Sequence, residues 1–274
     1  MLLRINTMIV NIAGYQFAHL TDLPAMRQKL LDCCLEQELK GTILVSPEGL
    51  NAFLAGTRGS IDSILSLIRS YPELSEFAVK ESFSDKQPFT RMLVRLKKEI
   101  ISFGVDQASP LYHEAPRISA QQLKTWLDQG KEIILLDTRN DFEVWLGTFN
   151  QAEHFHLKSF RGFIDAAEAK KSEWKNKTII TFCTGGVRCE KAAPFMNMLG
   201  YQDVYQLDGG ILKYFETCGG EHYQGDCFVF DKRVALTPEL KPSGHGLCYS
   251  CQAVFPHPGA PCLDCANSQK QPSV

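Results

Sequence analysis

The apolar run Thr178 to Phe182 leads directly into Cys183, Thr184, Gly185, Gly186, Val187 and Arg188, and the next residues, Cys189 to Ala193, suit a helix. A buried strand that opens through a glycine loop into a helix belongs to an α/β fold, with helices covering the sheet and ligands at the carboxyl ends of its strands. The two glycines let the backbone curl until several N–H groups point at one sulfur. The helix N-terminus and Arg188 add positive potential, so the thiolate of Cys183 is favoured and a reactive cysteine is expected. The alternative is an unreactive cysteine at a strand end beside an ordinary glycine turn.

With 274 residues the chain has room for two domains and a small appendage. A formal net charge of −2 gives no global attraction to nucleic acid, so any RNA-binding surface has to be a local patch. The longest apolar runs are too short to span a membrane, and the N-terminus lacks the extended apolar core of a signal peptide. A cytoplasmic protein without membrane association is expected. Of ten cysteines, four form two Cys-x-x-Cys pairs, which in a long chain argues for metal or redox use in a reducing compartment rather than for disulfides.

Three parts follow from the periodicity. Residues 1–112 alternate strand and helix signals: a strand over residues 8–17, a helix from Leu23 to Lys40 with Asp22 as N-cap and Gly41 as terminator, a hairpin around Pro47, Glu48 and Gly49, a second helix near Ser60 to Ser70, and strands near 77–83 and 91–96. A βαββαβ order implies a ferredoxin-like α+β sandwich, one antiparallel sheet with both helices on one face. Residues 113–217 form an α/β domain with a mostly parallel sheet: Ser119 caps a helix that Gly130 closes, and strands run near 133–137, 153–155, 178–183 and 203–206. Residues 218–274 are irregular and cysteine-rich. There Cys248, Cys251, Cys262 and Cys265 have the spacing of a tetrahedral zinc site that would order a segment too polar to bury its own core. An unmetallated thiol cluster or two redox-active pairs are the alternatives.

The middle part resembles a single rhodanese domain. It carries Leu135-Leu136-Asp137-Thr138-Arg139, then Glu143 and Gly147, the Cys183 loop, and a closing segment from Val204 to Ile211. A loop of six residues from cysteine to arginine is associated in that family with sulfur or thiol chemistry, whereas the related phosphatases use a longer loop. Few rhodanese domains are joined to both a ferredoxin-like module and a cysteine-rich tail. With Ser46 to Ala52, Leu96 to Ile100, Cys183 to Lys191 and Phe228 to Val234 added, nearly the whole chain resembles the bacterial tRNA uridine hydroxylases. Thr138 departs from the valine that is common there.

That resemblance implies an oxidoreductase that converts the wobble uridine of tRNA, at position 34, to 5-hydroxyuridine with molecular oxygen as co-substrate. The loop chemistry itself, rather than the resemblance, makes Cys183 and Arg188 the candidate catalytic residues, with Thr184, Gly185, Gly186, Val187 and Cys189 completing the loop. No flavin, haem or non-haem iron motif is visible, so the reductant is not indicated. A sulfurtransferase carrying a persulfide on Cys183 is the alternative function. The anticodon stem-loop of tRNA is the expected partner. From Lys80 to Lys98 there are six basic residues against Glu81 and Asp85, and alternation puts Arg91, Arg95 and Lys97 on one strand face, with Met92, Val94 and Leu96 toward a core. That face is either a phosphate-binding stripe or a solvated surface.

Overall fold

The computed structural model describes residues 8–248, 254, 255 and 265. The N-terminal part contains β1 (Ile9–Phe17), α1 (Leu23–Glu36), β2 (Lys40–Ser46), β3 (Gly49–Gly56), α2 (Arg58–Arg69), β4 (Val79–Ser84) and β5 (Met92–Leu96). Its sheet has the order β4-β1-β3-β2-β5. The first four strands are antiparallel neighbours, the ferredoxin-like arrangement, but β5 adds parallel to β2 and makes the sheet mixed. The expected purely antiparallel sheet is corrected here, because the outer edge of β2 is an unpaired ladder that the returning chain fills.

Alternation along these strands separates two faces. Val10, Ile12, Ile43, Val45, Leu50, Leu54 and Val94 pack with Leu30, Ile61, Ile64 and Ile68 of the helices into one core. The residues between them form the opposite face, which carries the functional cleft described below. Leu96, expected toward the core, is 43% exposed at the end of the edge strand. Helix α1 stops short of its expected end: Glu38 takes the left-handed conformation at φ 53, and the Leu39 N–H closes back on the Cys34 carbonyl at 2.9 Å. Gly41 lies instead inside β2, where a Cβ would collide with the Phe53 carbonyl. Asp22 likewise has a positive φ, and its side chain makes no capping bond.

The second part contains β6 (Arg117–Ile118), α3 (Ala120–Asp128), β7 (Ile134–Asp137), α4 (Asp141–Val144), β8 (Gly147–Phe149), β9 (Glu153–His154), α5 (Phe163–Trp174), β10 (Thr178–Phe182), α6 (Cys189–Met198), β11 (Asp203–Leu207) and α7 (Gly210–Cys218). Strands β6-β11-β10-β7-β9 form one sheet in which every pairing is parallel. Ile179 packs into the core on one side of β10 and Ile180 into the core on the other, so the sheet is covered on both faces. Ser119 caps α3 by accepting from the Gln122 N–H at 3.1 Å, and Gly130 closes it at φ 63.

The chain then continues onto the same body. β12 (Tyr223–Gly225) pairs with β8, and β13 (Cys227–Phe228) pairs with β14 (Ala235–Leu236). Tyr223 and Cys227 are part of the core between the parallel sheet and α7. Among the described residues no helix is long and apolar enough to cross a membrane.

Candidate active site

Cys183 follows β10 directly and is fully buried. Its sulfur accepts the Gly186 N–H at 3.1 Å, and the first turn of α7 grips the loop from behind, with the Ile211 N–H on the Cys183 carbonyl at 2.9 Å and the Leu212 N–H on the Thr184 carbonyl at 3.1 Å. Such a close approach demands glycine: Gly210 sits at φ 64, and a Cβ there would strike the Cys183 carbonyl and lie 2.9 Å from the Gly186 nitrogen. This is the physical role of the closing segment that ends Asp208-Gly209-Gly210-Ile211.

Two buried ion pairs stiffen the cradle. Arg188 is gripped by both oxygens of Glu143, at 2.7 and 2.6 Å, and Arg139 by Asp137 at 2.7 Å, with a further bond from Arg139 to the Gly147 carbonyl at 2.6 Å. Burial alone would push the Cys183 thiol up. The Cys189 thiol that donates to it, the charge of Arg188, and the N–H groups of Arg188 and Gly186 outweigh burial and bring it well below the ordinary thiol value. Cys189 shifts the opposite way, raised by burial and by the neighbouring Cys183 anion, so it serves as a neutral donor. The Thr138 hydroxyl donates to the Phe182 carbonyl at 3.0 Å and lies 3.7 Å from the Cys189 sulfur, which places the departure from valine beside the second thiol.

The loop faces the open side of the N-terminal sheet. A cavity of about 90 Å³ separates them, lined by Tyr15, Phe53, Lys80, Cys183, Phe230 and Arg233 among others. The Tyr15 hydroxyl donates to Glu190 at 2.9 Å, and Glu190 also receives Arg117 at 2.8 Å and Gln206 at 3.1 Å. Lys80 donates to the Gly185 carbonyl at 2.9 Å, and burial lowers its pKa. From the C-terminal segment, Arg233 reaches Ser82 at 2.7 Å, and the Thr184 hydroxyl donates to the Phe228 carbonyl at 3.3 Å. Phe230 and Arg233 lie in the Phe228 to Val234 segment of the family resemblance and Lys80 opens the basic stretch, but nothing in the sequence places them at Cys183. Tyr15 carries only the signal of an aromatic residue that alternation turns away from a core.

Set against known proteins, residues 9–100 match the family described as UPF0176 acylphosphatase-like domain and residues 119–217 the rhodanese-like domain. A tRNA uridine(34) hydroxylase of Cupriavidus pinatubonensis is 51% identical over 90% of this chain and 89% of its own length, and that of Ralstonia nicotianae 48% identical over 95% and 98%. The chain belongs to the tRNA uridine(34) hydroxylase family. Among solved structures, the rhodanese-like domain of an Anabaena protein aligns with 41% of this chain and 80% of its own at 21% identity and a TM-score of 0.35.

The segments through which the chain resembles the tRNA uridine(34) hydroxylases meet in space. Lys191, with its side chain fully buried, binds Glu48 at 2.8 Å and Glu99 at 3.0 Å, so that three sequence motifs close one ion cluster between the two domains. Of the residues predicted to bind RNA, Arg91, Arg95 and Lys97 are exposed but do not line the Cys183 cavity. Arg95 pairs opposite Leu44, Leu44 opposite Asn51, and Asn51 opposite Tyr15. This row puts Arg95 on the sheet face that carries the cavity, three strand spacings or about 14 Å from Tyr15. Of the four tail cysteines, Cys248 and Cys265 approach to 3.6 Å between sulfurs, and Cys251 and Cys262 lie outside the described residues.

Proposed function

We propose that this chain hydroxylates C5 of the wobble uridine of tRNA, position 34, with Cys183 as the nucleophile. The observation that carries the reading is a stabilised thiolate at the floor of a cavity closed by all three parts of the chain, in a protein of the tRNA uridine(34) hydroxylase family. C5 of uracil resists oxygen until the ring is made electron-rich. Addition of the Cys183 thiolate at C6 leaves enolate character at C5, and the loop N–H groups with Arg188 stabilise the developing charge. Dioxygen is the co-substrate in this reading. One oxygen atom goes to C5, two electrons and two protons from a reductant convert the other to water, and loss of the C5 proton with expulsion of the Cys183 thiolate from C6 restores the C5–C6 double bond.

The uridine has to be splayed out of its stack to enter the cavity, where Phe53, Phe89 and Phe230 offer apolar rings. The anticodon stem-loop is held on the same sheet face, with Arg91, Arg95 and Lys97 on phosphates. A cytoplasmic location goes with that substrate. The tail cysteines are proposed to hold structural zinc. A tetrahedral ion with bonds of about 2.3 Å spaces its sulfurs by about 3.8 Å, close to the 3.6 Å between Cys248 and Cys265.

The test is incubation of unmodified tRNA with the enzyme and a reductant under heavy-isotope oxygen gas, followed by nucleoside mass analysis. The expected product is 5-hydroxyuridine carrying the heavy isotope, absent with Cys183→Ser. Thiolated uridine, or full activity of Cys183→Ser, would overturn the assignment.

A further inference from the structure

Asp141, His154 and His156 gather at the carboxyl ends of β7 and β9, outside the cavity of Cys183. Oδ1 of Asp141 lies 3.4 Å from Nδ1 of His154 and 3.6 Å from Nδ1 of His156, and the two imidazole centroids are 4.2 Å apart. All three candidate ligand atoms fall within 4.8 Å of one another. Asp141 Oδ1 and His154 Nδ1 are shut off from solvent, and neither has a hydrogen-bond partner. A buried polar atom left in this way costs about 1–3 kcal/mol, so two that face each other require an explanation. His156 also holds a left-handed backbone at φ 54, which persists in a residue with a side chain only when its surroundings impose it.

We propose that these three side chains form a divalent metal site. A tetrahedral ion with bonds of about 2.0–2.1 Å to nitrogen and oxygen places its ligand atoms about 3.3–3.4 Å apart, close to the spacings from Asp141. Two neutral imidazoles and one carboxylate suit a borderline cation such as zinc, not calcium or magnesium, which take oxygen ligands. The His156 side chain is 77% exposed, which leaves a path for the ion to enter and room for water to complete the coordination. In the other cluster of such residues among those described, Asp128 and Glu221 already hold the Lys124 ammonium at 2.7 and 2.8 Å, and His222 is bonded to Asp128 at 2.7 Å, so that cluster has its cation. Because Asp141 opens the short helix whose Glu143 grips Arg188, an ion here would brace the catalytic arm from outside without touching substrate.

Titration of the full-length protein with cobalt(II), followed by zinc competition, separates this site from the cysteine tail. Thiolate ligands produce intense charge-transfer absorption in the near ultraviolet, whereas a site of nitrogen and oxygen shows only weak visible bands. The expected result is one ion per chain without thiolate absorption, with affinity weakened by about 100-fold or more in His156→Ala and in His154→Ala, beyond what loss of a supporting group costs. His156→Ala changes an exposed side chain and so keeps the test open if His154→Ala misfolds. Equal stoichiometry and affinity in the parent and His156→Ala, or no ion under excess metal beyond those on cysteine, would overturn the site and leave an imidazole–carboxylate contact. Neither readout depends on hydroxylation.

Discussion

At Cys183 burial opposes the thiolate while a neighbouring thiol, a guanidinium and two amides favour it, and the latter win. Cys33, Cys34, Cys218 and Cys227 shift the other way: burial raises Cys33 and Cys218, and pushes Cys34 and Cys227 up to about 12. Competitive labelling with a small alkylating reagent should therefore modify Cys183 first at neutral pH. The sign follows from the direction of the shift. A depressed pKa keeps the thiolate populated as pH falls from 9 to 7, so the rate at Cys183 should hold nearly constant while that at Cys33 drops about tenfold per unit. Peptide mapping at three pH values reads this directly, and faster labelling of Cys33 or Cys218 at neutral pH would remove the argument. The motif was legible in the sequence because cysteine, glycines and arginine are contiguous. Glu143 was legible as part of the rhodanese pattern, but its bidentate pairing with Arg188, 45 residues away, follows from no local rule and is seen only in the structure.

At the scale of elements, helix α6 joins the domains. It projects Glu190 toward Tyr15 and Lys191 toward Glu48 and Glu99, and every residue from Cys189 to Met196 is buried. A lysine with its ammonium fully buried is tolerable only because two carboxylates neutralise it. Lys191→Met should destabilise the protein by about 3–5 kcal/mol at neutral pH, since two carboxylates then face each other without a cation. The loss should shrink in acid, because Glu48 already has a raised pKa through burial and protonates first. Urea unfolding of parent and variant at neutral and acidic pH measures both effects, and a pH-independent difference would mean that Lys191 acts through packing alone. The longer elements of residues 8–217 were readable from periodicity, whereas the short strands β12, β13 and β14 fall in a stretch that reads as irregular. The end of α1 was not readable either, because Glu38 accepted a left-handed conformation that composition assigns to Gly41.

Across the whole molecule, the open sheet face runs from the Cys183 cavity to the basic edge strand, and the docking proposed above lays the phosphates of an RNA loop along it. Arg91→Glu combined with Arg95→Glu should weaken tRNA binding and flatten its salt dependence by roughly 0.7–0.9 log units per lost phosphate contact. The reactivity of Cys183 should be unchanged, because neither residue lines its cavity. Binding isotherms at several salt concentrations decide this, and an unaltered slope would move the docking surface onto the rhodanese domain or the tail.

The sequence by itself determined the α/β domain with its activated cysteine, the ferredoxin-like module, and the family, because each is written in local periodicity or contiguous motifs. Only the tertiary structure decided that β5 runs parallel to β2, that Tyr223 and Cys227 join the core of the rhodanese domain, and that Tyr15, Lys80 and Arg233 surround the same cavity as Cys183. The physical reason is common to all three. Strand order and domain docking depend on which unpaired edge or polar face is left uncovered once the rest has folded, and that is a property of distant segments together.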